Sequence, residues 1–286
     1  MAGQPEKSSR GTTLEPPLRR DRKPWLAFTW AVPISLVGGL MGLGGAEFRL
    51  PVLAGPLGYL AKQVVPLNLA ISLVTVTVAL LIRGQTLSMA GLVPFRPVLA
   101  SLIAGAMITA YLGATWVRHI SNERLERTIL VLLVSIGIAL LIEAFLPQSF
   151  PGLIPAVLAW QVPAGVLFGL AIGLVSSVLG VAGGELIIPT LIFAFGVDIR
   201  SAGTGSLIVS LPTVLIGLIR YARSRAFSDP QALRQTVLPM GIGSVIGAIM
   251  GGLLVGIISP AVLKFGLGLI LIVSAVRVFA HTQGHN

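Results

Sequence analysis

The sequence contains no cysteine and few charged residues. The absence of cysteine excludes a disulfide framework, a thiolate metal site and a cysteine nucleophile. Only 10% of the 286 residues are charged, whereas a soluble domain needs roughly a quarter to cover its surface. Hydrophobic residues make up 55% of the chain, and the mean hydropathy is +0.93. This composition excludes a soluble globular protein and indicates an all-α polytopic membrane protein.

Histidine is also scarce, and its three copies lie in polar, terminal or loop-like surroundings: His119, His281 and His285. A zinc or iron site needs a cluster of nitrogen and carboxylate ligands, and the sequence shows none. We therefore expect no metal and no cofactor. The net charge of +10 indicates basic cytoplasmic loops and contacts with a lipid bilayer, not a nucleic-acid partner. Because no P-loop is present, ATP is not expected to drive the protein directly.

The N-terminal segment, 1–23, differs from the rest of the chain. It is rich in basic residues and proline and has almost no apolar side chains. This composition predicts a disordered cytoplasmic arm and not a cleaved signal peptide. From Trp25 onward the chain is apolar. We predict long helices of the length that crosses ~30 Å of hydrocarbon at 25–45, 65–82, 90–117, 125–146, 155–179, 202–221, 233–257 and 261–280.

Two shorter apolar segments, 47–60 and 185–197, indicate how the chain is organised. Each follows a glycine-rich break and carries a proline, as broken or re-entrant half-helices do. We assign these prolines, Pro51 and Pro189, to the helix breaks. The segments around them align with each other at a constant offset along the chain. Small residues near the far end of each half align at the same offset. The sequence therefore predicts two homologous transmembrane repeats, 25–146 and 155–280. We pair Ile71-Ser72-Leu73 with Gly205-Ser206-Leu207 after a change in loop length.

The orientation of the repeats follows from the distribution of lysine and arginine. If each short segment returns to the side from which its preceding helix came, the two halves are inverted. This arrangement places 15 basic residues on the cytoplasmic side and 4 on the other, whereas letting the first and fifth segments cross fully gives 13 and 6. The positive-inside rule thus favours inverted repeats in a cell membrane, with both termini in the cytoplasm.

Glu47 and Glu185 occupy the same place in the two repeats. An ionisable group at membrane depth costs about 2.5 kcal/mol or more and usually marks a functional pathway. We interpret the pair as proton acceptors or gates. The alternative is that each glutamate is protonated or caps a broken helix.

Glycines precede each glutamate, at Gly44-Gly45 before Ala46 and at Gly183-Gly184. Glycine tolerates backbone angles that other residues avoid, so the helix can break there and expose its peptide groups to a cavity. Two half-helix N-termini that meet near the midplane would form an anion site. Close packing between helices is the alternative use of such glycines.

Several polar residues near the breaks are candidate substrate ligands. Arg49 has no counterpart in the second repeat, where Ile187 stands, and it could neutralise Glu47, contact an anion or extend to an interface. Ser72 and the stretch Thr204-Gly205-Ser206 could donate hydrogen bonds to oxyanion oxygens. Capping and helix–helix hydrogen bonds remain the other reading of these hydroxyls.

The duplicated order of glycines, a short apolar stretch and proline, followed by Gly203-Thr204-Gly205-Ser206, resembles the sulfite exporter TauE/SafE family. The resemblance spans about 28–280 and implies transport of small sulfur-containing anions such as sulfite, sulfoacetate or other organosulfonates. Many family members have three consecutive glycines, then an apolar residue, where this chain has Gly44-Gly45-Ala46-Glu47 and Ala182-Gly183-Gly184-Glu185.

The extra carboxyl groups suggest a mechanism. Two carboxylates would repel an anion unless they are protonated, and a low-dielectric site favours the neutral form. Joint movement of protons and an anion would then couple transport to the proton gradient. The first alternatives are an anion channel or a transporter of a non-sulfur anion. An intramembrane enzyme and a structural membrane subunit rank below them. An enzyme is not expected, because no histidine lies in an apolar segment to act as a base.

Overall fold

A computed structural model describes residues 24–59, 61–116, 151–223, 229–259, 261–263 and 265–269, with isolated positions at 134, 137, 138, 141, 227, 272 and 273. The arm over 1–23 and most of the predicted helices 125–146 and 261–280 lie outside these residues. In the described part of the chain, every regular element is a helix. The helices are α1 Pro24–Met41, α2 Ala46–Ala54, α3 Ala61–Thr86, α4 Arg96–Trp116, α5 Leu158–Leu179, α6 Gly184–Ala194, α7 Ile199–Arg223 and α8 Pro230–Leu254.

Six of the described helical segments are long and apolar enough to cross a membrane. Five of them lie in α1, α3, α5, α7 and α8, and the sixth begins in the segment before α4 and continues into it. The prediction of a multi-pass all-helical membrane protein is therefore confirmed for the described residues. The two short apolar segments also form helices, α2 and α6. In α6 the hydrogen bonding changes from α to π at Thr190–Ala194.

Several predicted boundaries were wrong by one turn, for local reasons. Helix α7 begins at Ile199 and not at 202, because Asp198 Oδ1 accepts the backbone N–H groups of Arg200 and Ser201 at 3.0 Å. The predicted helix 90–117 opens with a 3-10 segment, Met89–Phe95, that includes Pro94. Proline donates no backbone hydrogen bond, which weakens a regular α-helical start.

Glycines with positive φ interrupt the chain at matching places. They fall into three pairs with the same spacing along the chain: Gly42 and Gly180, Gly45 and Gly183, and Gly58 and Gly196. The first two pairs lie between α1 and α2 and between α5 and α6. We call residues 42–45 the first break and residues 180–183 the second break. Residues with a Cβ rarely adopt this backbone conformation, so glycine there ends one helix and redirects the chain into the next.

The outer helices pack in two close pairs, α1 against α8 and α4 against α5. Glycines at four-residue spacing make both approaches possible. On α8 these are Gly243, Gly247 and Gly251, whose absent side chains would meet the backbone of α1, and on α5 they are Gly165, Gly169 and Gly173, which face α4. Small residues at this spacing allow the backbones of membrane helices to approach closely.

The inner helices position the breaks. Helix α3 lies along α7, α2 packs on α3, and α6 packs on α7. Apolar side chains from α6 and α7, including Ile187, Leu191 and Val209, form a buried cluster with Leu43 of the first break. The two breaks are thus held at the centre of the helix bundle, where few polar groups can contact water.

Candidate functional site

The two breaks contact each other directly. A Cβ placed on Gly44 would lie 2.6 Å from Ala182 Cβ, so only glycine fits there without a displacement. A side chain on Gly42 would meet the backbone of Gly203 in α7, and one on Gly180 would lie 2.7 Å from Val65 Cγ1 in α3. The close approach of each break to the long helix of the other half brings the N-terminal ends of α2 and α6 together.

Glu47 and Glu185, both predicted site residues, lie in the first turns of α2 and α6. Their carboxyl groups are close enough to interact with each other, and each lies beside its own backbone N–H. Glu185 is buried, and Glu47 Oε1 is inaccessible and has no hydrogen-bond partner among the described residues. Two carboxyl groups that interact repel each other when both are ionised.

Arg49 is fully buried and donates five hydrogen bonds. Its Nε donates to Asn68 Oδ1 at 3.1 Å, and one terminal nitrogen donates to Thr75 Oγ1 at 2.9 Å and to Ser244 Oγ at 3.5 Å. The other terminal nitrogen donates to Ser72 Oγ at 2.8 Å and to Gly44 O. Because a guanidinium has five N–H donors, these bonds use all of them.

The three readings of Arg49 from the sequence can now be compared. It does not extend to an interface, because its side chain is 0% exposed. It is near enough to Glu47 for electrostatic attraction. A direct contact with a substrate anion would require that one of its five bonds be broken. In this structure Arg49 therefore connects the first break to its surroundings.

Asn68, on α3, links the two breaks. Its Nδ2 donates to Ala46 O at the start of α2 and to Gly180 O in the second break, both at 3.0 Å. Its Oδ1 accepts from Arg49. The signal in the sequence was an amide in an apolar helix.

The predicted hydroxyl ligands differ in their surroundings. Ser72 Oγ accepts from Arg49, and Thr204 Oγ1 accepts from Arg83 at 3.1 Å and donates to the backbone of its own helix. Ser206 Oγ is fully buried and has no hydrogen-bond partner within the described ranges. It lies 3.1 Å from the position that a Cβ on Gly184 would occupy, so it faces the start of α6.

The remaining predicted residues have packing roles. A Cβ on Gly205 would lie 3.0 Å from Leu191 Cδ1, so this glycine lets α7 approach α6. The two prolines do not form the helix breaks as predicted. Pro51 lies within α2, and Pro189 ends the α-helical part of α6. The chain breaks earlier, at glycines with positive φ, a backbone conformation that residues with a Cβ rarely adopt.

The positions of the helix starts favour a pairing of Ser72 with Ser210 and not the predicted pairing with Ser206. Helices α3 and α7 begin at Ala61 and Ile199, so the offset that relates the paired glycines continues without a change in loop length. Ser72 then corresponds to Ser210, and Asn68 corresponds to Ser206. The contacts agree with this register, since Ser72 lies against the first break and Ser210 Oγ donates to Ala182 O in the second break at 2.8 Å.

Arg83 follows directly after the predicted helix 65–82, so the sequence pattern places it outside the membrane. It lies instead within α3, is 1% exposed, and donates to Gly39 O at 3.1 Å and Leu40 O at 2.8 Å in the last turn of α1. It also donates to Thr204 of α7. At the equivalent position, Tyr221 donates to Ser177 O at 3.4 Å near the end of α5. The carbonyls at helix ends lack intrahelical partners, and these side chains satisfy them.

The polar groups around the breaks are mainly oxygen and nitrogen atoms that form hydrogen bonds. No group of three or more histidine, cysteine, aspartate and glutamate side chains occurs in the part of the chain that the structure describes. The polar groups that converge on the breaks are two carboxyl groups, hydroxyls, amides and two arginines. They can bind or exchange protons and donate hydrogen bonds to oxygen atoms.

A comparison with protein families gives one match. The model of the family described as Sulfite exporter TauE/SafE matches residues 3–140 and 165–286, in two segments that together cover most of the chain. Neither the curated proteins nor the solved structures gave a match.

Proposed function

The chain belongs to the sulfite exporter TauE/SafE family, and on that premise we propose that it is a secondary transporter that couples movement of a small sulfur-containing anion to protons. Membership in the family implies a membrane transporter of sulfite or related anions. The finer proposal is that the substrate is sulfite, sulfoacetate or another organosulfonate, carried across the cytoplasmic membrane. Glu47 and Glu185 would carry the protons.

The observation on which this proposal rests is that Glu47 and Glu185 lie in the first turns of two helices whose preceding breaks contact each other. A carboxyl pair that shares one proton can accept a second proton or release the first as its surroundings change. The same place brings together the N-terminal ends of α2 and α6, which favour negative charge. Protons and an anion would therefore stabilise each other there.

We further propose that the protein consists of two inverted repeats. The paired glycines with positive φ support a duplication. So do the close pairs of outer helices, since the first helix of each half packs on the last described helix of the other. Alternating access would then arise as one half rocks against the other around the breaks. The distribution of basic residues supports cytoplasmic termini.

Reconstitution into proteoliposomes tests the transport function. We expect saturable uptake of sulfite or sulfoacetate that increases at acidic internal or external pH. Sulfate and chloride serve as competing anions, and zwitterionic taurine serves as a competitor without net charge. A sodium-free buffer separates proton coupling from sodium coupling, and electrogenic and counterflow modes are both measured. Flux that carries chloride without saturation would indicate a channel. Absence of flux of every sulfur anion in both modes would refute the substrate proposal.

Substitution of the carboxyl groups tests the coupling. We expect Glu185→Gln to abolish the pH dependence of uptake, because glutamine cannot exchange a proton, and Glu47→Gln to weaken it. Asp198→Asn is the matched control, since it removes a carboxylate at the exposed start of α7 and keeps a capping side chain. Unchanged pH dependence in Glu185→Gln would show that this carboxyl group does not carry the proton.

A further inference from the structure

The two breaks occupy equivalent places in the two halves, but their surroundings differ at two polar positions. Arg49 in α2 corresponds to Ile187 in α6, and both side chains are fully buried. Asn68 in α3 corresponds to Ser206 in α7, and again both are fully buried. At each position the first half has a polar side chain that makes several hydrogen bonds. The second half has the apolar Ile187 at one position and the short hydroxyl of Ser206 at the other.

The first break is cross-linked to two long helices by one charged group. Arg49 binds Gly44 O in the break, reaches α3 through Asn68, Ser72 and Thr75, and reaches α8 through Ser244. Hydrogen bonds from an ionised donor are roughly twice as strong as those between neutral groups. Opening of the first break would therefore separate a buried cation from several acceptors at once.

The second break is held by neutral groups that act separately. Three of its four carbonyls each accept one side-chain bond: Gly180 O from Asn68, Val181 O from Ser176 and Ala182 O from Ser210. No arginine lies at the equivalent of Arg49, because that residue is Ile187. The hydroxyl at the equivalent of Asn68, Ser206 Oγ, has no partner in the described structure. Each bond at this break can be broken without breaking the others.

We propose that Arg49 is a positioning residue that locks the first break, and that the second break is the part that rearranges when an anion passes. Ser206 then offers its hydroxyl to the anion on the moving side, and Arg49 does not contact the anion. The inference deepens the proposed transport function and rests on it for the role of the motion. The difference in rigidity between the two breaks does not depend on it.

Thiol labelling can measure the opening of each break, because the chain contains no native cysteine. Leu43 and Val181 are equivalent positions in the two breaks, and their side chains are 0% and 1% exposed. In Leu43→Cys and Val181→Cys, the rate of modification by N-ethylmaleimide reports how often each break opens. We expect the second break to label at least about tenfold faster, since one charge-assisted bond shifts a local opening equilibrium by such a factor.

Reciprocal exchanges between the halves then assign the cause. Arg49→Ile installs the residue of the second half, and we expect it to raise labelling at Leu43→Cys about tenfold. It should raise labelling at Val181→Cys by a smaller factor, because Asn68, which also donates to Gly180 O, loses its bond from Arg49. Ser206→Asn installs the residue of the first half and should slow labelling at Val181→Cys. Arg49→Lys keeps the charge but not the five-fold bonding, so it should give an intermediate rate.

A milder variant covers the case in which Arg49→Ile does not fold. Thr75→Val removes one acceptor of Arg49, 2.9 Å away, and leaves the other four. It should raise labelling at the first break by a smaller factor. Ser101→Ala is the control, because this buried hydroxyl bonds within α4 at 2.8 Å and lies away from both breaks.

Equal labelling of the two breaks in the otherwise unchanged protein would overturn the proposal. So would an Arg49→Ile or Thr75→Val variant that folds and labels at the original rate at Leu43→Cys. The labelling requires no substrate. Transport failure with unequal labelling would therefore count against the proposed function and not against the lock, whereas transport with equal labelling would count against the lock alone.

Discussion

Replacement of Arg83 by methionine tests whether hydrogen bonding or the burial of a charge has the larger effect on the free energy of unfolding at the end of α1. The Arg83 side chain is almost fully buried and donates to Gly39 O, Leu40 O and Thr204 Oγ1. Methionine replaces only the part of the arginine side chain nearest the backbone, and it removes the charge and all three bonds. The variant therefore leaves two carbonyls of α1 without their donor.

Two opposing terms determine the result. Each unsatisfied carbonyl costs about 1–3 kcal/mol, so the loss of two donors destabilises the fold by about 2–6 kcal/mol. Removal of a buried cation regains part of its desolvation energy, which is several kcal/mol. The C-terminal end of α1 already stabilises a cation there by up to about 2 kcal/mol, which reduces that gain. We expect a net loss of about 2 kcal/mol in the free energy of unfolding.

Thermal unfolding in detergent, followed by tryptophan fluorescence, measures this loss. The chain has four tryptophans, whereas thiol-reactive dyes cannot report on it because it has no cysteine. A loss of about 2 kcal/mol should lower the Tm by roughly 4–8 °C. Arg83→Lys is the comparison variant, since lysine keeps the charge but its single ammonium group cannot span both α1 and α7 as the guanidinium does.

The relative stability of the two variants shows whether hydrogen bonding or the burial of charge has the larger effect. If hydrogen bonding dominates, stability falls from arginine to lysine to methionine. A methionine variant that is as stable as the original protein, or more stable than Arg83→Lys, would refute the reasoning. It would show that the burial of charge outweighs the bonds to α1.

Three further substitutions test the packing and capping of the fold. Gly247→Val should lower the Tm strongly because its side chain would meet the backbone of α1, whereas Gly241→Val, with open space around it, should change the Tm little. Tyr59→Phe removes the hydroxyl that lies 2.6 Å from Thr236 Oγ1 and should cost about 1 kcal/mol, measured by the same unfolding assay. Asp229→Ala removes the cap that accepts two backbone N–H groups at the start of α8, and it should destabilise by about 1 kcal/mol, with Asp229→Asn nearly neutral. A Tm of Gly241→Val as low as that of Gly247→Val, or an Asn cap as weak as the Ala cap, would contradict these assignments.

Much of the helical architecture could be predicted because its signals are local. The apolar runs, the glycines before each glutamate and the paired proline-containing segments are all visible over stretches of a few residues. They predicted the long helices, the short α2 and α6, and Glu47 and Glu185 as a matched pair. Helix ends were less accurate where a single side chain decided them, as Asp198 did for α7.

The partners of the polar residues could not be predicted, and this limited the candidate site. Arg49 reads equally well as an anion ligand or as a structural residue until its acceptors are known. Ser72 and Ser206 look alike in sequence, yet one binds the guanidinium and the other has no described partner. Arg83 resembled a loop residue, because a charged residue at the end of an apolar run usually lies at the membrane surface.

The sequence by itself determined that this is a multi-pass helical membrane protein of the sulfite exporter TauE/SafE family, since hydropathy and glycine spacing are properties of the linear chain. Only the tertiary structure decided which polar groups bind one another. The bonds of Arg49 reach from Gly44, nearby in the chain, to Ser244 in the last described long helix. Folding brings such distant acceptors together, and a buried donor that is satisfied by them has no capacity left for a ligand.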